Sequence, residues 1–410
     1  MTGARGGFHY PAAMPRSLLA AVARPLVPAL ALPLVLVAAS CAPRREVMTE
    51  PQLVAEGTAR KTQFRSEMVD ATRTLLMRVA QETGDERVID VLVLSGGGDY
   101  GAFGAAFLRS WKERTGAGAM PEFDVVSGVS TGALIAPFAF LGAPEDLRKC
   151  EDLYRNPKAD WVKARGILGL LPENASLAEV PGLERELRSE IDNAFVARIA
   201  AQGERGRLLL VNTTDLDQGR AQPFEMTAAA KRSVNEGSID RFHNIMLASA
   251  GIPGVFPPRE IDGTLYADGG VTSNILYGAP ATYEETLFYR FKQAFPNQEG
   301  LRMRYWVIFN NQVQSPPKTV QRGWLAVLGR SVEVAIRAST VTALRHLFSH
   351  ADAVTRRGDG SIEVHWVAIP DDWRAPVEGV FAEETMRNLA DIGAKMGAEQ
   401  NPWRTRPPEQ

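Results

Sequence analysis

The stretch VIDVLVLSGGGDYGAFGAAFLRSWKERTG, residues 88–116, decides how the chain folds. Residues 88–95 are a β-branched run, apolar but for Asp90 and Ser95, that stops at glycines, the pattern of a strand buried on both faces. Past the glycines, small and apolar residues continue as a helix to Gly116. Downstream, FDVVSG (residues 123–128) repeats the short buried strand and STGALIAPFAFLG (residues 130–142) repeats the helix. Strand, helix, strand, helix at this spacing predicts βαβ units and therefore a parallel α/β sheet.

Further along, GRLLLVNTTDL (206–216), MRYWVIFNN (303–311) and the alternating SIEVHWVAI (361–369) read as more strands, with helices over about 46–85, 321–350 and 381–399. Nothing between residues 88 and 400 looks like a linker or a repeat. The expected organisation is a leader (1–41), a helical segment (42–87), one α/β domain (88–400) and a polar, proline-rich tail (401–410). The 410 residues are 45% apolar and 23% charged, with a net charge of −2. That balance fits a globular protein and gives no reason to expect a nucleic-acid partner.

At the N-terminus, Arg5, Arg16 and Arg24 precede PLVPALALPLVLVAASC (25–41), an acid-free apolar run with three prolines. A basic start, an apolar middle and a small-residue exit predict an export signal rather than a membrane span. VAASC resembles a bacterial lipobox, with Ala38 where Leu is usual, which would make Cys41 the lipidated residue. Ala42 rather than Asp after it points to an outer-membrane address in the cell envelope. A plain cleaved signal at an A-x-A-like site is the alternative. With Cys41 acylated, Cys150 would stand alone and no intrachain disulfide could form.

Two loops could carry chemistry. Gly96, Gly98 and Gly101 spell G-x-G-x-x-G between strand and helix, as in a dinucleotide site. That reading needs an acidic residue at the end of the second strand. Asp124 has nearly the right spacing but stands at that strand's beginning, which counts against it. The second loop, Gly128-Val129-Ser130-Thr131-Gly132, is a G-x-S-x-G on a strand-to-helix turn, the arrangement that exposes a serine hydroxyl over a helix N-terminus. Three successive amides at Gly96, Gly97 and Gly98, on the neighbouring turn of one parallel sheet, suit an oxyanion better than a nucleotide. A third segment, ASAGIPGVFPPREIDGTLYADGGVTSN (248–274), places Asp268 before Gly269 and Gly270. Alone, an Asp-Gly pair is most simply a turn.

Together, SGGGDYG, GVSTG and ADGG, in that order, resemble the patatin-like phospholipases from residue 88 to about 275, and ETMRNLADIGAKMG (384–397) is similar to that family's closing helix. The resemblance implies a three-layer α/β/α sandwich with a mainly parallel sheet. It also implies a Ser–Asp dyad of Ser130 and Asp268 without histidine, an oxyanion hole from Gly96–Gly98, lipid ester substrates and no cofactor. It departs at Tyr100, where many family members carry Arg or Lys; losing that cation bears on head-group preference more than on hydrolysis.

Other readings stay open at this stage. His346, His350 and His365 follow Ser130 and Asp268 in the order of a Ser–Asp–His hydrolase. No cysteine cluster or His-Glu-x-x-His pattern indicates a metal. A catalytically idle lipoprotein that binds lipid or protein is a further alternative. The segment 164–179, with Ile167, Leu168, Leu170 and Leu171, could be a lid or simply cover the core. The segment 323–329, GWLAVLG, could face a membrane or pack inward.

Overall fold

A computed structural model describes residues 45–82, 88–166, 174–278 and 282–409. Cys41 and the four apolar residues of the segment read as a lid or a core cover, Ile167, Leu168, Leu170 and Leu171, fall outside the described residues.

The first strand, β1 (Val88–Leu94), is buried at all seven positions. Leu92 and Leu94 enter one apolar core; Ile89, Val91 and Val93 enter another on the opposite face. This two-sided burial is what a near-continuous apolar run requires, Asp90 being the one charged residue in it. Helix α1 (Glu50–Val79) precedes it, and a short 3-10 turn (Gly98–Tyr100) leads from it into α2 (Gly101–Lys112). The second unit is β2 (Val125–Val129) and α3 (Thr131–Leu141), followed by α4 (Pro144–Arg155). A small ribbon, β3 (Lys163–Ala164) with β4 (Ala178–Glu179), precedes α5 (Pro181–Glu190) and α6 (Asn193–Glu204). Next come β5 (Leu208–Asp215), β6 (Arg220–Glu225), α7 (Met226–Glu236), α8 (Asp240–Ser249), β7 (Arg259–Ile261) and β8 (Thr264–Asp268). The chain closes with α9 (Leu287–Ala294), β9 (Leu301–Gln312), α10 (Trp324–Arg357), β10 (Gly360–Ile369) and α11 (Glu383–Ala398).

The sheet runs β10-β9-β1-β2-β5-β8-β7, with β6 also on β5. From β10 to β5 every pairing is parallel; β6, β7 and β8 join antiparallel. Helices α2, α3, α4, α6, α8 and α11 bury their apolar sides on one face, and α1, α9 and α10 on the other. The architecture is a three-layer α/β/α sandwich with a mainly parallel sheet. The residues expected as a free polar tail are docked instead. Trp403 packs among Phe107, Trp111 and Trp306, and Arg404 exchanges two backbone hydrogen bonds of 2.9 Å with Trp366 of the edge strand β10. Tertiary apolar contact here overrides a composition that reads as solvent-exposed.

Candidate active site

The carboxyl ends of β1, β2 and β8 meet at one place. β5 acts as the common ruler: Val129 lies opposite Asn212, and Asp268 opposite the next residue, Thr213. Ser130, which follows Val129, and Asp268 are thereby brought together although far apart in sequence.

Ser130 holds φ 54° and ψ −124°, a backbone conformation that side-chain-bearing residues rarely adopt. Its N–H donates to Ser249 Oγ at 3.0 Å, and that hydroxyl donates to the Asn212 carbonyl at 2.6 Å. Two glycines make the turn possible by close approach: a side chain at Gly128 would collide with the Gly132 carbonyl, and one at Gly132 with the Leu94 carbonyl. Thr131 begins α3 and its hydroxyl shares a hydrogen bond with Tyr154.

Asp268 is 4% exposed. Its Oδ1 accepts the Gly270 N–H at 2.7 Å, its backbone N–H donates to Gly251, and its carbonyl accepts from Thr214 Oγ1. Asn212 Nδ2 ties down the Gly269 carbonyl. Burial pushes the Asp268 carboxyl up to about 6, with the Ser130 hydroxyl and the Gly270 N–H pulling the other way. Oδ2 has no fully aligned hydrogen-bond partner. The serine hydroxyl is thus near enough to act on the carboxyl but not locked to it, an arrangement common in unliganded sites.

The glycine loop lies alongside. Asn310 fixes its base: its N–H donates to Ser95 Oγ and its Nδ2 to the Ser95 carbonyl, each at 2.9 Å. Of the three amides singled out in the sequence, that of Gly96 is engaged, donating to the Asn274 carbonyl at 3.3 Å. The Gly97 and Gly98 amides have no acceptor among the described residues. Gly98 sits at φ +61°, where a side chain would be strained. Gly101 begins α2 against Thr131, too close for a side chain.

An apolar pocket with about 670 Å³ of space free of protein atoms opens from Ser130 and Gly98, walled by Leu134, Phe138, Leu153, Trp161, Phe256 and Phe381. Cys150 also lines it, its thiol pushed up by burial and hence unreactive. Phe381 is the one wall residue at positive φ, 57°. Its N–H donates to Asp99 Oδ2 at 3.2 Å, so a carboxylate of the glycine loop fixes the aromatic wall. Burial pushes Asp99 up to about 6, its backbone hydrogen bonds pulling it down. Tyr100 adds a second link, its ring edge-on to Trp373 at 5.2 Å. Neither residue was singled out in the sequence for this role; the only signal was the departure at Tyr100 from the Arg or Lys that the resemblance implies there.

The remaining sequence candidates lie elsewhere. His346 bonds Tyr277, His350 lines a different cavity with about 860 Å³ of space free of protein atoms, and His365 stacks on Trp306 at 4.4 Å. His243 is buried against the Ile191 carbonyl. No described histidine hydrogen-bonds Ser130 or Asp268. Asp124 sits at the amino end of the sheet, bonded to Arg78 and to the Asp90 N–H. No group of three or more His, Cys, Asp or Glu side chains suited to a metal ion occurs among the described residues.

Residues 92–281 match the family model described as patatin-like phospholipase. Calcium-independent phospholipase A2-gamma of mouse is 25% identical over 197 residues and that of rabbit 27%, in each case over 46% of this chain. The match spans a quarter of the length of those relatives. Among solved structures, VipD from Legionella pneumophila aligns over 75% of this chain and 66% of its own at 13% identity, with a TM-score of 0.32.

Proposed function

Residues 92–281 being a patatin-like phospholipase domain, we propose that the protein hydrolyses carboxylic esters of lipids, with Ser130 as nucleophile and Asp268 as its base. The observation that carries the reading is a serine on a strained strand-to-helix turn beside a buried carboxyl whose Oδ2 is unpartnered and whose affinity for protons is raised. An ordinary Asp, near 3.9, is a poor acceptor of a serine proton. One lifted to about 6 is a better one and still ionised at neutral pH.

Ser130 Oγ attacks the ester carbonyl while its proton passes to Asp268 Oδ2. The oxyanion that forms is met by the free amides of Gly97 and Gly98, and the N-terminus of α3 adds partial positive charge. Collapse expels the alcohol, which takes the proton from Asp268. Water then attacks the acyl-enzyme, again giving a proton to Asp268; the bond from Ser130 Oγ to the acyl carbon breaks, Ser130 Oγ takes that proton back, and the acid leaves. The acyl chain occupies the apolar pocket. Tyr100 brings no cation to the loop, so the scheme favours no charged head group. The scheme needs no metal or cofactor.

The test is hydrolysis of medium-chain nitrophenyl esters and mixed phospholipid vesicles by wild type, Ser130→Ala and Asp268→Asn, each confirmed folded. Turnover by wild type and loss in both variants supports the dyad. Retained activity in Asp268→Asn refutes it, and an inert wild type leaves the lipid-binding reading. We further propose export and lipidation at Cys41, tested by labelled fatty acid incorporation lost in Cys41→Ser.

A further inference from the structure

The first half of α10 is built inside out. Between residues 324 and 342 its only charged side chains are Arg330, Glu333 and Arg337. All three turn inward: Arg330 and Arg337 pair with Glu333 at 2.8 and 3.0 Å, and Arg337 also donates to Asn311. Facing outward at helical spacing are Trp324, Val327, Leu328, Val332 and Val334, each 39% to 66% exposed. Ala335, Ala338, Ser339 and Thr342 extend the outward face, also exposed. A surface helix normally shows the opposite arrangement.

This face stands at the active-site end. α10 runs from the end of β9 to the start of β10, hence from the carboxyl edge of the sheet to its amino edge. It passes the glycine loop at Thr340, whose hydroxyl accepts from Asn274 Nδ2 at 2.9 Å; the Asn274 carbonyl holds Gly96. The 16 residues from Trp324 to Ser339, about 24 Å of helix, therefore lie on the carboxyl-edge side of that level. The loop bearing Phe381 at the pocket also exposes Val377 and Val380, 42% and 66%.

We propose that this part of α10 is a docking arm for a lipid surface, which it enters side-on so that the pocket at Ser130 faces the bilayer. The charge pattern selects that occupant. Residues 316–340 hold four cations, Lys318, Arg322, Arg330 and Arg337, and one carboxylate, Glu333; Lys318 is exposed and paired with Glu333 at 3.4 Å, and Arg322 is exposed two residues before Trp324. An apolar face, an aromatic at its tip and flanking cations are what an interfacial helix presents to anionic lipid. Among the described residues no helix is long and apolar enough to cross a membrane, so the arm lies on the surface. The inference rests on the proposed lipid hydrolysis for its biological sense, not for its test.

The test compares the full chain with a Val327→Asp, Leu328→Asp, Val332→Asp variant, whose substituted positions are exposed and leave the fold intact by circular dichroism. Vesicles of phosphatidylcholine and phosphatidylglycerol carry a dispersed ester substrate. The expected result is at least a tenfold lower rate on vesicles, with hydrolysis of a soluble short-chain ester within twofold of wild type, and weaker flotation with the vesicles. Unchanged rate and flotation overturn the proposal. So does a wild type that elutes as a dimer and a variant that elutes as a monomer, since a second copy would then cover the face. If neither protein cleaves any ester, the activity reading fails and flotation alone decides the docking.

Discussion

The two ends of the sheet give their buried carboxylates different partners, although burial raises Asp124 at one end as it raises Asp99 and Asp268 at the other. At the amino end, Asp90 is gripped by Arg304 at 2.9 and 2.6 Å and by Trp306 Nε1 at 2.7 Å, and Asp124 by Arg78 and a backbone N–H. At the carboxyl end, Asp99 and Asp268 have no Arg or Lys partner among the described residues, and burial lifts both to about 6. One end uses charge to hold strands in register. The other leaves its carboxyls poised to exchange protons, the condition expected of a site that works rather than one that supports.

The largest expected effect separates those roles. Asp268→Asn should lower ester hydrolysis about 10³-fold. In wild type the rate should rise with pH through about 6 to a plateau, because the base must be ionised; steady-state profiles between pH 4 and 9 would show that limb. At the other end, Asp90→Ala should cost about 3 kcal/mol in denaturant unfolding by stranding Arg304 and the Trp306 N–H, without altering the rate per folded molecule.

A third expectation follows from the sign of the shift. A carboxyl that is harder to ionise folded than unfolded stabilises the fold below its unfolded value, near 3.8. That contribution is lost as pH rises through about 6. The stability of Asp268→Asn at pH 8 should therefore exceed that of wild type by about 3 kcal/mol, while the two converge near pH 4. Equal stability at pH 8 would mean the carboxyl is not strained by burial. The smallest effect should be that of Asp99→Ala. Freed of its hydrogen bond, the Phe381 wall should cost long-chain esters about tenfold in kcat/KM, near 1.4 kcal/mol, and acetate esters under twofold.

How much of this was legible in the sequence depended on what fixed each part. β1, β2 and β5 were readable because burial on both faces demands near-continuous apolar runs, and β9 by the apolar stretch WVIF that follows an alternating start. Ser130 and Asp268 were readable as an ordered set of motifs, and β5 supplies the reason they meet. RAQPFE gave no strand signal for β6, whose partner β5 imposes extension on a polar, proline-containing segment. The engagement of Gly96 by Asn274, and the Asp99–Phe381 bond, join residues remote in sequence, which no local pattern encodes. The aromatic setting that captures Trp403 is likewise assembled from three distant elements.

Helix α11 packs so tightly on α2 that side chains at Gly393 and Gly397 would strike the carbonyls of Phe103 and Phe107. The helix that carries the glycine loop is thus seated by a helix from the far end of the domain. In the same way Asp90 on β1 waits for Trp306, 216 positions later. Such distant closures are slow steps in folding. The reactive centre should be among the last features to mature after dilution from denaturant. Recovery of hydrolysis should lag behind recovery of helical signal, so the clock of refolding is best read from turnover.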